Sequence, residues 1–219
     1  MLLVLSCAPD AVELPCPLVA GPLLVTRQPT REVDILLVVD SSGDMEEEQA
    51  RFVDQLPRLA NALSAASEDS TNFDLASVRF GVVSADMGSG GQAVVTCDEP
   101  VFGDDGLLRN GERRPGPLQE CVSGGWTELE LGEDPEEFTR EAQCLAYLGI
   151  DGCGIEQPLE SALKAVTSSR AGPIFARETT GHQGDNGLTR DDALLVVLVL
   201  TNEDDCSIED EDLLNRASA

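Results

Sequence analysis

The sequence predicts an α/β fold: a doubly wound, mostly parallel open sheet with helices on both faces and a cysteine-stapled insertion. Two apolar runs, one almost continuous at 33–39 and one continuous at 193–200, have the length and the β-branched content of strands covered on both faces. Amphipathic helical patterns lie between these runs. A chain of 219 residues is long enough for one domain with a full hydrophobic core.

The first half of this pattern alternates strand and helix. The strand at 33–39 runs into the loop Asp40-Ser-Ser-Gly-Asp44, and the helix after it should kink at Pro57, which has no N–H to donate to Val53. A second strand, Phe80–Ser84, completes the first strand-helix-strand unit. The apolar stripe of the intervening helix consists of Met45, Phe52, Leu56, Leu59 and Leu63.

The second half begins with a break in the pattern. Residues from about 88 to 135 are rich in Gly, Pro and charge, and predict a β-rich insertion stapled by Cys97 and Cys121. Helices are expected over Pro135–Leu148 and Gln157–Val166, followed by the strand at 193–200. A last helix should begin near Ile208, and the chain then stops where such a sheet normally needs another strand or two, which predicts a fragment.

Charge and composition exclude several function classes. The chain has 14 Lys plus Arg against 41 Asp plus Glu, a formal net charge of −27, which repels phosphate backbones and anionic lipid. The ordinary explanation of such acidity is a solvated surface. The only lysine, Lys164, is not followed by Ser or Thr as a phosphate-binding loop requires, and the only histidine, His182, lies in a Gly-rich stretch typical of an exposed loop.

The N-terminus and the cysteines point to export. Met-Leu-Leu-Val-Leu-Ser-Cys7 resembles the end of a bacterial lipoprotein signal, so we expect a partial signal at 1–7 with Cys7 lipidated, a tether at 8–30 and the domain at 31–219. The chain would then be lipid-anchored in the bacterial cell envelope, outside the cytoplasm. The alternative is a cytoplasmic protein with reduced thiols. The other six cysteines form an even set of disulfide candidates, as an oxidising compartment requires: Cys16, Cys97, Cys121, Cys144, Cys153 and Cys206.

The sequence leaves the disulfide pairing open, because six cysteines allow 15 connectivities. Cys153 and Cys206 flank two polar loops, so a bridge between them would either fix the side chains of these loops or only tie the loops down.

Two of the predicted strands end in oxygen-rich loops, Asp40–Asp44 and Asn202–Asp205. Ligands of open parallel sheets collect beyond the carboxyl ends of the strands, and hard oxygen donors suit Mg²⁺ or Ca²⁺. The sequence therefore predicts a site for Mg²⁺ or Ca²⁺ at this edge of the sheet.

The loop Asp40-Ser-Ser42-Gly-Asp44 resembles the Asp-x-Ser-x-Ser signature of von Willebrand factor type A domains, the metal-ion-dependent adhesion site. The resemblance spans about residues 31 to 215 and is nearest to a Cys-rich bacterial type, through Gly-Cys-Gly-Ile-Glu-Gln-Pro-Leu-Glu160 and Thr-Asn-Glu-Asp-Asp-Cys-Ser207. It implies a Mg²⁺-like ion with one coordination position left for an acidic group of a protein partner.

The resemblance assigns roles residue by residue, and three of its five positions depart from the pattern. Asp40 and Ser42 match, Asp44 replaces the second serine, the threonine position falls near Glu156 or Gln157, and Asn202 replaces the final aspartate. Asp204 or Asp205 would substitute for that aspartate if the loop bends back. The expected metal ligands are Asp40, Ser42, Asp44, Glu156, Asn202 and Asp204.

The sequence thus predicts a binding module that is not an enzyme and recognises a protein through a bridged divalent cation. Nucleic acid is not an expected partner, and a membrane is expected only through the N-terminal lipid. The alternatives are a metal-free structural or assembly domain and a Mg²⁺-dependent phosphotransferase that uses Asp40 as nucleophile.

Overall fold

The computed structural model describes residues 31–68, 75–91, 93–97, 100, 103–112, 119–130, 132–167 and 186–207. Segments 1–7 and 8–30 with Cys7 and Cys16, His182, and the helix expected from Ile208 lie outside these residues. The strands are β1 (Glu32–Val39), β2 (Ser77–Ser84), β3 (Gly111–Glu112), β4 (Gln119–Glu120), β5 (Trp126–Glu130) and β6 (Leu194–Leu200). The helices are α1 (Glu46–Val53), α2 (Leu56–Glu68), α3 (Glu136–Ala146) and α4 (Pro158–Val166).

A mixed four-stranded sheet forms the centre of the fold, in the order β5-β2-β1-β6. β2 and β6 both pair with β1 in parallel, and β5 pairs with β2 in the antiparallel direction. The prediction of an α/β fold with a mostly parallel sheet is confirmed. β1 lies between β2, the next strand along the chain, and β6, the last strand in sequence, so the strand order reverses at β1.

Continuous apolarity in β1 reflects helices on both faces of the sheet. Ile35 and Leu37 face a core formed with α2 and α3, whereas Leu36 and Val38 face a second core formed with α4. All four side chains are buried. Alternate side chains of a strand point to opposite faces, so a strand covered on both faces has no polar face.

The predicted kinked helix is two helices, α1 and α2, separated at Asp54 and Gln55. Pro57 lies in the first turn of α2, where no N–H is needed, whereas within a continuous helix it would have left the carbonyl of Val53 without a donor. The Val53 carbonyl instead accepts a hydrogen bond from the Gln143 amide of α3, at 3.1 Å.

The insertion differs from the expectation in two ways. Its last strand, β5, belongs to the main sheet, with Thr127 and Leu129 buried and the alternate residues more exposed. The staple between Cys97 and Cys121 is wrong: the disulfides are Cys97–Cys153 and Cys121–Cys144. Both disulfides therefore tie the insertion to later parts of the chain, and they indicate an oxidising, extracytoplasmic environment.

β6 is the least covered strand of the sheet. Leu194, Leu195, Val197 and Val199 are between 39% and 45% exposed, although their neighbours in β1 are almost fully buried. In the described part of the chain β6 pairs only with β1, so its second edge carries no partner strand there.

Candidate metal centre

The carboxyl ends of three parallel strands lie side by side at one edge of the sheet. Val39 is in register with both Ser84 of β2 and Leu200 of β6. The N–H of Asp40 donates to the Leu200 carbonyl at 2.9 Å, and the N–H of Ala85 donates to the Val39 carbonyl at 2.8 Å. The three loops that follow these strands therefore start from one small area.

Asp40 is fully buried and its carboxylate has a fixed orientation. One oxygen accepts the N–H of Ser42 at 2.8 Å, as in an Asx turn, and the other accepts the hydroxyl of Thr201 at 2.8 Å. The Thr201 contact connects the tip of β1 to the tip of β6. A carboxylate held in this way has no freedom to turn away from the loops around it.

Asp44 connects the loop after β1 to the loop after β6. Its two carboxylate oxygens accept the Asn202 amide at 3.0 Å and the Ser42 hydroxyl at 3.1 Å. These two hydrogen bonds, that of Asn202 first, lower the pKa of Asp44. The structure thus brings Asp40, Ser42, Asp44 and Asn202 together.

Glu156 reaches the same place from the segment before α4. Its backbone forms an isolated antiparallel bridge with Asp86, and its carbonyl accepts the Cys206 N–H at 2.8 Å. The side chain is fully buried, and neither carboxylate oxygen receives a hydrogen bond. Of the two residues left open by the sequence, Glu156 is the one at the site; the Gln157 amide points to the Gly88 carbonyl, at 3.4 Å.

The surroundings of Glu156 raise its pKa from 4.5 to about 9. Burial is the main cause, because desolvation disfavours the carboxylate. The negative charge of Asp40 comes next, followed by the charges of Asp86 and Glu203. Without a cation, Glu156 is a protonated acid at neutral pH.

Two residues at this edge escaped the sequence analysis. Asp86 is buried just beyond β2, and its oxygens accept the N–H groups of Gly88 at 2.8 Å and Cys153 at 3.1 Å. Gln49 is buried on α1, where its amide donates to the carbonyls of Asp40 and Gly149, both at 2.9 Å. Both residues could have been found from the sequence. Asp86 follows a predicted strand, as Asp40 does, and Gln49 is a polar residue on the apolar stripe of the first predicted helix.

The loop that carries Glu156 packs closely on the loop after β1. The N–H of Gly152 donates to the Ser41 carbonyl at 2.9 Å. A Cβ at Gly152 would overlap the Ser41 side chain and lie 3.0 Å from the Ser41 carbonyl oxygen. Only glycine allows this approach. Cys153, the next residue, is held to Cys97 by the disulfide.

Asp204 and Cys206 do not have the places expected of them. Asp204 is exposed, and in the described part of the chain its side chain makes no hydrogen bond to the loop after β1. Cys206 has a free thiol, so a Cys153–Cys206 bridge is wrong. Asp205 accepts the Leu159 N–H at 3.1 Å and therefore caps α4, since the first N–H groups of a helix lack helical partners.

A second group of ligand-type atoms lies next to the site. One oxygen of Asp86 and the sulfurs of Cys97 and Cys153 lie within 4.8 Å of one another. The two sulfurs form a disulfide, and a metal ligand would have to be a thiolate. This group has no thiolate to offer a cation while the disulfide is intact.

The donor types at this end of the sheet suit a hard divalent cation: Asp40, Asp44 and Glu156 carry carboxylates, and Ser42 and Asn202 carry neutral oxygens, the donors that Mg²⁺ and Ca²⁺ take. The three carboxylates do not form a preassembled cage, because among the described residues only Asp86, Cys97 and Cys153 place three ligand-type atoms within 4.8 Å of one another. A buried carboxyl without a donor is what a cation would satisfy. Lys164, which a phosphotransfer site would need, is itself buried and its ammonium lies 2.9 Å from Asp105.

Comparisons with protein-family models, with curated proteins and with solved structures give no match. Among the residues that the structure describes, no helix is long and apolar enough to cross a membrane.

Proposed function

We propose that this chain is an extracytoplasmic binding module that holds a divalent cation, Mg²⁺ or Ca²⁺, beyond the ends of β1 and β6 and recognises a protein through it. Asp40, Ser42, Asp44, Glu156 and Asn202 are the proposed ligands. The resemblance of the 40–44 loop to the metal-ion-dependent adhesion site of von Willebrand factor type A domains supports the protein-binding role, as does the exposure of Asp44 in this loop.

The observation that carries the proposal is the buried carboxyl of Glu156. A carboxylate without a hydrogen-bond donor is costly in a protein interior, and this one lies beside Asp40 and Asp86. A divalent cation would offset most of this negative charge at once. Mutually repelling acids converge here, and a cation gives that convergence a physical reason.

Calorimetry on the full chain tests the proposal. We expect uptake of Ca²⁺, Mg²⁺ or Mn²⁺ that Asp40→Ala abolishes. Because Asp40 is buried, Asp44→Ala provides a second variant at an exposed ligand, whose fold is less affected. The matched control is Glu133→Gln, which should bind the cation as the wild type does. Glu133 is exposed and follows β5, which runs antiparallel to β2, so it lies near the amino-terminal ends of the parallel strands, away from the candidate metal centre.

Thermal melting gives an independent measurement. A cation at 100 times its dissociation constant should stabilise the wild type by about 2.7 kcal/mol, and EDTA should remove the gain. Uptake unchanged in both Asp40→Ala and Asp44→Ala would refute the site.

A metal-free structural role is the second candidate, and one observation favours it. If Glu156 is protonated, its O–H can donate a hydrogen bond to the carboxylate of Asp40. This would satisfy one oxygen of these two buried acids without a cation. A melting temperature that responds neither to EDTA nor to added divalent ions would establish this alternative.

The lipid anchor at Cys7 remains part of the proposal. The mass of the mature N-terminus in the native host would test it, since a lipidated cysteine adds the mass of its acyl groups.

A further inference from the structure

Lys164, the only lysine of the chain, forms an ion pair that is closed off from solvent. Its ammonium lies 2.9 Å from Asp105 Oδ1, and the two side chains are 2% and 0% exposed. Arginine usually serves in buried ion pairs, because its guanidinium is weakly hydrated and always charged, whereas the amine of lysine can lose its proton and become a nucleophile. Elsewhere in the described chain the more exposed ion pairs use arginine: Arg51, Arg79, Arg109, Arg140 and Arg190.

The loop that carries Asp105 packs tightly on α4. A Cβ at Gly106 would lie 2.8 Å from Lys164 Cβ and 2.9 Å from the carbonyl oxygen of Ser161, so only glycine permits this approach. Asp105 itself has a φ of 56°, in the left-handed region that few residues with a side chain adopt. The backbone thus presents the Asp105 carboxyl to Lys164 at hydrogen-bond distance.

A covalent bond between these two groups would remove two buried charges at once. Taking an ammonium and a carboxylate out of water is costly, and their mutual attraction does not always repay that cost. Transfer of one proton from Lys164 to Asp105 leaves a neutral amine beside a neutral carboxylic acid. The amine then lies against an oxygen that is one bond from the carboxyl carbon. Holding two reactants in such contact raises their effective concentration to about 10⁵–10⁸ M.

Glu160 supplies the proton transfer that amide formation also needs. It lies one helical turn before Lys164, and its carboxylate is 4.0 Å from the same ammonium. Its side chain is 16% exposed. A carboxylate at this place can accept a proton from the amine and pass it on to a leaving group.

Independently of the proposed function, we propose that Lys164 and Asp105 become joined by an isopeptide bond, an amide between the two side chains. The lone pair of the neutral Lys164 Nζ attacks the carboxyl carbon of Asp105, and an N–C bond forms. Glu160 accepts a proton from this nitrogen and returns it to the departing hydroxyl, which leaves as water when the C–O bond breaks. The products are one amide, one water molecule and the original Glu160 carboxylate, so the step needs no oxidant, reductant or other reactant.

The bond gives the insertion a cross-link that reduction does not open. It joins two positions 59 residues apart and ties the loop of Asp105 to α4. The same loop is bonded to the end of β2, where the Asp104 N–H donates to the Asp86 carbonyl at 2.9 Å. The insertion would therefore remain attached to the core after both disulfides have been reduced.

Peptide mass mapping of the full chain tests the proposal. After reduction and alkylation, which also separate the peptides joined by Cys97–Cys153, trypsin should release 80–109 and 141–170 as one branched species. Its mass should be the sum of the two peptides less one water, and it should contain no cut after Lys164, because trypsin does not cleave at an acylated lysine. Separate peptides 80–109, 141–164 and 165–170 from the wild type would overturn the proposal and leave a buried ion pair.

Three variants assign the roles of the side chains. Lys164→Arg keeps the positive charge but cannot form the amide, so the branched species should be lost completely. Freshly purified Glu160→Gln should contain mostly the separate peptides, because general acid–base catalysis typically contributes about 100-fold or more to the rate. The matched control is Glu137→Gln, which removes an exposed acid paired with Arg140 on α3 and should be cross-linked as fully as the wild type.

The wild-type result decides the proposal by itself, whether or not the variants fold. A branched species in Lys164→Arg would overturn the assignment of the bond to Lys164. Equal cross-linking of Glu160→Gln and the wild type would overturn the role given to Glu160.

Discussion

Replacing Glu156 by Gln should have opposite effects on the apo protein and on the cation-loaded protein. Gln has nearly the volume of Glu and is neutral like the protonated acid, but it cannot become a carboxylate. In the absence of a cation the substitution removes a group that is forced to be neutral in the folded state. In the presence of a cation it removes a ligand.

The pKa of Glu156 sets the magnitude for the apo protein. In the unfolded chain the group ionises with a pKa of 4.5, and in the fold this pKa is raised to about 9. Between these values the folded state retains a proton that the unfolded state releases, so the stability of the wild type falls as pH rises. At pH 7 the interval of 2.5 pH units corresponds to about 3.5 kcal/mol, at about 1.4 kcal/mol per unit. In the absence of a cation, Glu156→Gln and the wild type should therefore be about equally stable near pH 4.5, and the variant should be more stable by about 3.5 kcal/mol at pH 7.

Urea unfolding in EDTA at pH 5, 6, 7 and 8 measures this difference. Trp126 is the only tryptophan, and it packs against Arg79 and donates to the Asn186 carbonyl, so its fluorescence reports unfolding of the sheet. With saturating Ca²⁺ the wild type should gain stability and the variant should gain little. Parallel pH profiles for the two proteins in EDTA would refute the reasoning, because they would show that Glu156 does not hold a proton in the fold.

Two further predictions concern the loop that carries Glu156. Gly152→Ala should lower stability by about 1–3 kcal/mol in urea unfolding and weaken cation uptake, because the new Cβ overlaps Ser41. The control is Gly43→Ala, whose Cβ would meet no atom within 4 Å and which should change neither quantity. Equal effects of the two substitutions would contradict the packing argument. Replacing the Cys97–Cys153 pair by alanines should cost about 2–4 kcal/mol and also reduce cation affinity by calorimetry, whereas the same change at Cys121–Cys144 should affect stability alone.

The sequence predicted the parts of the fold that have a strong periodic signal. Apolar runs identified β1 and β6, although only β1 is covered on both faces, as such a run predicts. β2 was predicted over Phe80–Ser84, three residues short of its start at Ser77. β5 was missed: five residues, Trp126–Glu130, are too few for a clear alternation when glycines precede them. Its pairing with β2 depends on the tertiary fold, which a local pattern does not contain.

The candidate site was predictable where it follows a predicted strand. Asp40, Ser42, Asp44 and Asn202 lie just beyond β1 and β6, and parallel pairing alone brings the ends of two such strands together. The choice of Glu156 over Gln157 depends on how one loop turns, which spacing does not determine. The disulfides were misassigned for a similar reason, since Cys97 and Cys153 are separated by 56 positions in the chain.

Among the residues that the structure describes, β6 has no second partner strand, and this has a consequence for the candidate metal centre. An unpaired strand edge accepts additional strands, and apolar side chains on β6 favour such an addition. Thr201, the first residue after β6, holds the carboxylate of Asp40 through its hydroxyl. A strand paired with β6 would therefore restrain Thr201, the residue that orients Asp40. Strand pairing at β6 should then increase the affinity for the cation, and cation binding should in turn favour the pairing.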